Sequence, residues 1–164
     1  MRPARLPGFP YTGGYRYFLT MCCRNRQSAF VDAVFVSRVA CEIPRTAHQH
    51  QFAVLAYTFM PNHLHILVEG ADEDARLQRF TSLFRRRATL AAERTFPNGL
   101  WQKGYYERVL RRDEDSAQVI GYILANPVRA GIVDDPLAYL FSWSVLTHED
   151  TGPLQPSGPC ARPS

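Results

Sequence analysis

Apolar residues fall in short blocks along the chain, and the spacing within each block separates strands from helices. Tyr15 to Cys23 is dense in aromatic and apolar side chains and predicts a buried first strand, with Arg24-Asn25-Arg26-Gln27 as its exit loop. From Asp32 to about Ile43, the residues Val36, Val39, Ala40 and Ile43 recur at helical spacing, and Pro44 limits or kinks the helix beyond that point. Phe52 to Phe59 predicts a second strand, Pro61-Asn62 a turn, and His63 to Glu69 the returning third strand. Asp72-Glu73-Asp74 offers acidic residues to a helix N-terminus, after which Leu77, Phe80, Phe84, Ala88 and Ala91 form one apolar stripe that ends near Thr95. Pro97-Asn98-Gly99 turns the chain into a fourth strand over Tyr105 to Leu110.

A last helix starts near Ser116, where Asp115 and Gln118 resemble a capping box, and Pro127 biases Asn126 out of the α region. At 3.6 residues per turn, Ala117, Ile120 and Leu124 make its packing stripe, while Gln118, Tyr122 and Asn126 share a polar face. The order strand, helix, strand, strand, helix, strand, helix predicts an α+β fold. Its arrangement is a ferredoxin-like βαββαβ antiparallel sheet with helices on one face, plus a C-terminal helix carrying Tyr122. Residues 1–14, with three prolines and three glycines, read as an irregular lead-in, 15–148 as a single domain, and the proline-rich 149–164 as a disordered tail.

Composition narrows the class without choosing a function. A chain of 164 residues, 46% hydrophobic and 21% charged, fits one globular domain, with no apolar run near the roughly 20 residues of a membrane helix. The first ten residues lack the apolar stretch of a signal peptide, so a cytoplasmic protein is expected. Cys22, Cys23, Cys41 and Cys160 show no C-x-x-C spacing and read as buried or incidental thiols. The net charge is +4, and Lys103 is the single lysine among 19 basic residues. Arginine's planar fork recognises phosphate bidentately, which suits a nucleic-acid partner, although codon bias accounts for the same composition.

Candidate chemistry sits in Met60-Pro61-Asn62-His63-Leu64-His65. Residues two apart on a strand point to one face, so His63 and His65 project together and supply part of a site for a borderline divalent metal; two ordinary solvent-facing histidines are the alternative. Sixty residues later comes the helix that offers the Tyr122 phenol and the Asn126 amide on one face. The fold itself selects no function.

His63-Leu64-His65 followed by a lone helical tyrosine resembles the HUH single-tyrosine, IS200-like transposases. Met60-Pro61-Asn62-His63-Leu64-His65, Trp101-Gln102-Lys103-Gly104-Tyr105-Tyr106 and Asn126-Pro127-Val128-Arg129-Ala130-Gly131 together resemble the REP-associated tyrosine transposases, from about Gly13 to Trp143. Glu107 and Arg108 depart slightly from the family's fourth-strand segment. The resemblance implies a divalent cation, Mg²⁺ or Mn²⁺, on His63 and His65, with Asn126 as third ligand and Tyr122 as the nucleophile that cleaves single-stranded DNA beside a hairpin. It implies single-stranded DNA hairpins as partners and allows a homodimer.

A phenol of pKa near 10 is roughly 0.1% ionised at neutral pH, so Tyr122 needs electrostatic help to attack a phosphodiester. Attack leaves a 5′-phosphotyrosine and a free 3′-hydroxyl, and reversal joins another 3′-end without a nucleotide triphosphate. Arg85, Arg86, Arg87, Arg111, Arg112 and Arg129 are candidates for hairpin phosphates; Tyr15, Tyr17, Trp101, Tyr105 and Tyr106 are candidates for stacking on unpaired bases. Two other readings keep the fold: a non-catalytic single-stranded nucleic-acid-binding module or repressor, and a metal-dependent nuclease that uses water.

Overall fold

The computed structural model describes residues 8–111 and 114–147. Five antiparallel strands form one sheet in the order β4-β1-β3-β2-β5: β1 Arg16–Cys22, β2 Phe52–Met60, β3 His63–Gly70, β4 Tyr106–Val109 and β5 Ser142–Ser144. The helices are α1 Ala33–Gln49, α2 Leu77–Ala92, α3 Ser116–Leu124 and the single turn α4 Asn126–Arg129. The first four strands with α1 and α2 give the expected ferredoxin-like order.

Alternation along the strands builds two cores. Tyr17, Leu19 and Met21 of β1 and Leu64, Ile66 and Val68 of β3 are buried with Val36, Val39 and Ile43 of α1 and Phe80 and Phe84 of α2. On the opposite face, Ala56 and Leu67 meet Val119, Ile120 and Ile123 of α3, with Phe18 packed alongside. α3 thus packs over the β2–β3 half of the face that α1 and α2 leave open, and its start is tied to β1 because Arg16 donates to the Glu114 carbonyl and to Ser116 Oγ. No helix among the described residues is long and apolar enough to cross a membrane.

Several local expectations are corrected. α1 runs through Pro44 to Gln49. The missing Pro44 N–H costs about 3 kcal/mol in a helix interior, but the last turn buries Thr46 and Ala47 and receives Arg87, whose guanidinium donates to Thr46 Oγ1 (3.1 Å) and Gln49 Oε1 (2.9 Å). Tertiary docking therefore offsets the break. Asp72-Glu73-Asp74 lies in the loop before α2, where Asp72 accepts from the Asp74 N–H, and no acidic residue occupies the first turn of α2. The packing stripe of α3 is Val119, Ile120 and Ile123, with Leu124 half-buried; Ala117 is exposed. Pro127 interrupts the helix only at Ala125, and the chain continues helically from Asn126, with Arg129 N–H bonded to the Ala125 carbonyl at 2.9 Å.

The described part of the lead-in is irregular but fastened. Tyr11 is buried, Leu77 N–H reaches the Tyr11 carbonyl, and Gly13 N–H reaches that of Ala75. Gly70 is required beneath it, since a Cβ there would stand 2.0 Å from the Gly13 oxygen. The expected disordered tail at 149–164 lies outside the described residues.

Candidate functional site

His63 and His65 stand on the face of β3 that looks toward α3. Cys22 pairs with His63 and Thr20 with His65 in the antiparallel register of β1 and β3, so the strand that flanks the imidazoles also supplies a hydroxyl. Thr20 Oγ1 lies 2.9 Å from His65 Nδ1, and Asn62 Oδ1 accepts from His63 Nδ1–H at 2.7 Å. Both rings are thereby held from behind, and their Nε2 atoms face each other at 3.1 Å.

That pair fits a divalent cation. Asn62 Oδ1 is an acceptor only, so neutral His63 carries its proton on Nδ1 and presents a lone pair at Nε2. Thr20 accepts from His65 Nδ1–H in the same tautomer, which turns a second lone pair toward the first. The two Nε2 atoms converge on one small volume, so the pair would hold a single divalent cation between them. The Thr20 hydroxyl can equally donate to Nδ1 in the other tautomer of His65.

Both imidazoles are kept neutral, as a ligand must be. Burial, followed by the nearby His63 and Arg129, pushes His65 down to about 4; burial and Arg26 hold His63 below its ordinary value. Among the described residues, no group of three or more His, Cys, Asp or Glu could hold a metal ion. An amide oxygen, water or substrate would complete the shell of an ion held by the histidine pair.

α3 brings Tyr122 over this pair. Its ring centroid is 6.5 Å from that of His65 and 6.1 Å from that of Phe18, which itself stacks on His65 at 5.4 Å. The ring is 45% exposed, and the Arg129 guanidinium carbon lies 4.9 Å from its centroid. The turn between α3 and α4 places that arginine, so Arg129 is brought to the site. Asn126 lies one turn beyond Tyr122, but its Nδ2 donates to the Tyr122 carbonyl (2.8 Å), and its amide makes no hydrogen bond to either imidazole. Its oxygen is the atom left for a ligand.

The remaining arginines separate. Arg85, Arg86 and Arg87 sit on α2, behind the sheet from the histidines. Arg85 donates to the Gln102 carbonyl, and Arg87 is engaged by Thr46, Gln49 and Glu42, so both serve packing; Arg86 is exposed there. Arg111 is exposed just after β4, and Arg112 lies outside the described residues. Thr20 and Asn62 escaped sequence reasoning as site residues. Asn62 had a signal in its adjacency to His63, whereas Thr20 becomes visible only once the register of β1 on β3 is known.

The sequence profile described as "Transposase IS200 like" matches residues 12–126 of the chain. A REP-associated tyrosine transposase of Escherichia coli K12 is 26% identical over 135 residues, covering 80% of this chain and 78% of that one. A Haemophilus influenzae protein provisionally given the same name is 24% identical over 135 residues, covering 76% of each. A solved structure of a REP-associated tyrosine transposase bound to a REP hairpin superposes with a TM-score of 0.73 at 23% identity, covering 87% of this chain and 82% of that one. With a family profile that takes in both the histidine pair and the tyrosine helix, the chain belongs to the IS200-like transposases and resembles the REP-associated tyrosine transposases among them.

Proposed function

We propose that the protein cuts and rejoins single-stranded DNA beside hairpins of the REP type, with Tyr122 as nucleophile. One observation carries this reading: two inward-facing Nε2 atoms 3.1 Å apart, with an exposed tyrosine ring 6.5 Å from the nearer imidazole. The hairpin partner is inferred from the structural relative, which holds a REP hairpin.

His63 and His65 would hold a divalent cation, Mg²⁺ or Mn²⁺, with the Asn126 oxygen as a further ligand after its side chain turns from the helix carbonyls. Bound there, the cation supplies Lewis-acid polarisation of the phosphate and neutralises charge that builds up in the transition state. Tyr122 Oη attacks phosphorus and gives up its proton to solvent; the bond from phosphorus to the 3′ oxygen breaks, and that oxygen takes a proton. The strand is left with a 5′-phosphotyrosine and a 3′-hydroxyl. A second 3′-hydroxyl attacking the phosphotyrosine releases the phenol, and the number of phosphodiester bonds is conserved. Arg129 lies against the Tyr122 ring and offers its guanidinium to a phosphate that reaches the tyrosine.

The test is incubation with labelled single-stranded hairpins from repeats flanking the gene, with Mn²⁺ or with EDTA, followed by denaturing electrophoresis. The expected result is a labelled protein band that needs metal and is absent from Tyr122→Phe. Cleavage surviving in Tyr122→Phe would replace the tyrosine with water, and tight binding without cleavage under any metal would reduce the protein to a binding module.

A further inference from the structure

The cross-strand register places one more aromatic residue in line with the histidines. Tyr106 of β4 pairs with Thr20 of β1, and Thr20 pairs with His65 of β3. Directly paired residues share a face, so Tyr106, Thr20 and His65 form one row across the sheet on the α3 side. The row above it holds Arg108 and Phe18, also paired, with the Arg108 guanidinium carbon 6.0 Å from the Phe18 ring centroid. Of the five aromatic residues suited by sequence to base stacking, Tyr17 is fully buried, Tyr15, Trp101 and Tyr105 are half-buried in packing, and Tyr106 alone is exposed, at 54%. α3 buries its apolar face over β2 and β3, which leaves Tyr106 and Arg108 open to solvent beside Tyr122.

We infer that this open half of the sheet, over β1 and β4, is the track along which the unpaired strand approaches the site, and that Tyr106 is the platform on which one of its bases stacks. The inference rests on the proposed function and adds the substrate's path. Charge supports a single strand as the occupant: Arg108 flanks Tyr106 along β4, Arg129 stands over Tyr122 at the far side, and the acidic side chain of β4, Glu107, pairs with Leu19 and so belongs to the other face. Arg108 is ion-paired with Glu114 at 2.9 Å but remains 55% exposed, so a phosphate can share it. Two strand spacings separate Tyr106 from His65, roughly 10 Å, or about three nucleotides at the 3.4 Å spacing of a stacked strand. An exposed aromatic ring stacks any base, and the flanking arginines track the backbone.

The test places 2-aminopurine singly at each of the positions flanking the cleavage point in the unpaired part of a hairpin substrate and follows its fluorescence on binding the full-length protein with EDTA present, so that nothing is cut. Quenching at one position that disappears in Tyr106→Ala and persists in Tyr106→Trp is expected. Affinity for an unstructured oligonucleotide should fall roughly 5- to 150-fold in Tyr106→Ala, the range for loss of one base–aromatic stack, while affinity for the paired stem alone stays unchanged. Unaltered single-strand affinity and quenching in Tyr106→Ala would overturn the track, as would an equal loss on the stem. Because Tyr106 is exposed, the variant should melt like the wild type, which is checked first. In a parallel incubation with Mn²⁺ in place of EDTA, Tyr106-dependent binding without any covalent adduct would uphold the track and sink the transesterase, whereas an adduct formed with no contribution from Tyr106 would do the reverse.

Discussion

Two side chains behind the imidazoles decide what the imidazoles can do. Asn62 fixes which nitrogen of His63 carries the proton, Thr20 holds the His65 ring in place through its hydroxyl, and removing such a partner commonly costs 10- to 100-fold in metal affinity. Thr20→Val keeps the side-chain shape and removes only the hydroxyl. Titration with Mn²⁺ alone, followed by calorimetry, should show affinity weakened by roughly 10-fold or more, and unchanged affinity would free His65 from its dependence on Thr20. The same burial sets a pH dependence. In the unfolded chain each imidazole takes a proton near 6.5, whereas in the fold His65 is held to about 4 and His63 is held low. The unfolded state therefore binds more protons between those values, so stability falls as pH drops from 6.5 toward 4 and is flat above. Melting temperature should decline on acidification through that window, and the decline should shrink in His65→Gln. An equal decline in that variant would assign the acid sensitivity to other groups.

At the level of elements, α3 carries one removable weakness. Gly121 lies in it next to Tyr122 with a helical backbone, exposed, and a Cβ there would meet nothing within 4 Å. Gly121→Ala should thus stabilise the helix by about 0.5–1 kcal/mol, read as slower amide exchange over residues 119–124; unchanged exchange would mean that docking rather than propensity limits opening. Elements whose burial follows a regular period were legible from sequence: all four main strands, the start of α1, the apolar stripe of α2 and the start of α3 fall where periodicity and the Asp115 cap place them. β5 was not, because Ser142-Trp143-Ser144 is too short to show a period. It exists because Trp143 stacks on Tyr57 and the Tyr139 hydroxyl donates to the Phe59 carbonyl. Pro44 misled because local propensity yielded to packing on α2. In the candidate site, the histidine pair and Tyr122 were readable as a motif, but the division of the arginines was not: a run such as Arg85-Arg86-Arg87 has the same charge whether it faces solvent or braces α1.

Whether the tyrosine serves its own histidines is a question for the whole molecule. Tyr122 already stands against His65 and Phe18 of its own chain. Exchanging α3 with a second subunit would require undocking Val119, Ile120 and Ile123, all buried. At about 1.5–3 kcal/mol for each large apolar side chain exposed, that costs roughly 5–9 kcal/mol before any replacement contact forms. The connection adds a second constraint. Only residues 110–115 lie between β4 and α3, a span of about 20 Å when fully stretched, and the Arg16 bonds to Glu114 and Ser116 hold its far end against β1. A tyrosine acting within its own chain is the arrangement these contacts favour. Tyr122→Phe and His63→Ala, each inactive in adduct formation, should then remain inactive when mixed in equal amounts, because neither chain holds both the nucleophile and an intact imidazole pair. Phosphotyrosine recovered on the His63→Ala chain in the mixture would mean that α3 reaches across an interface, and that the contacts seen within one chain are exchanged when two assemble.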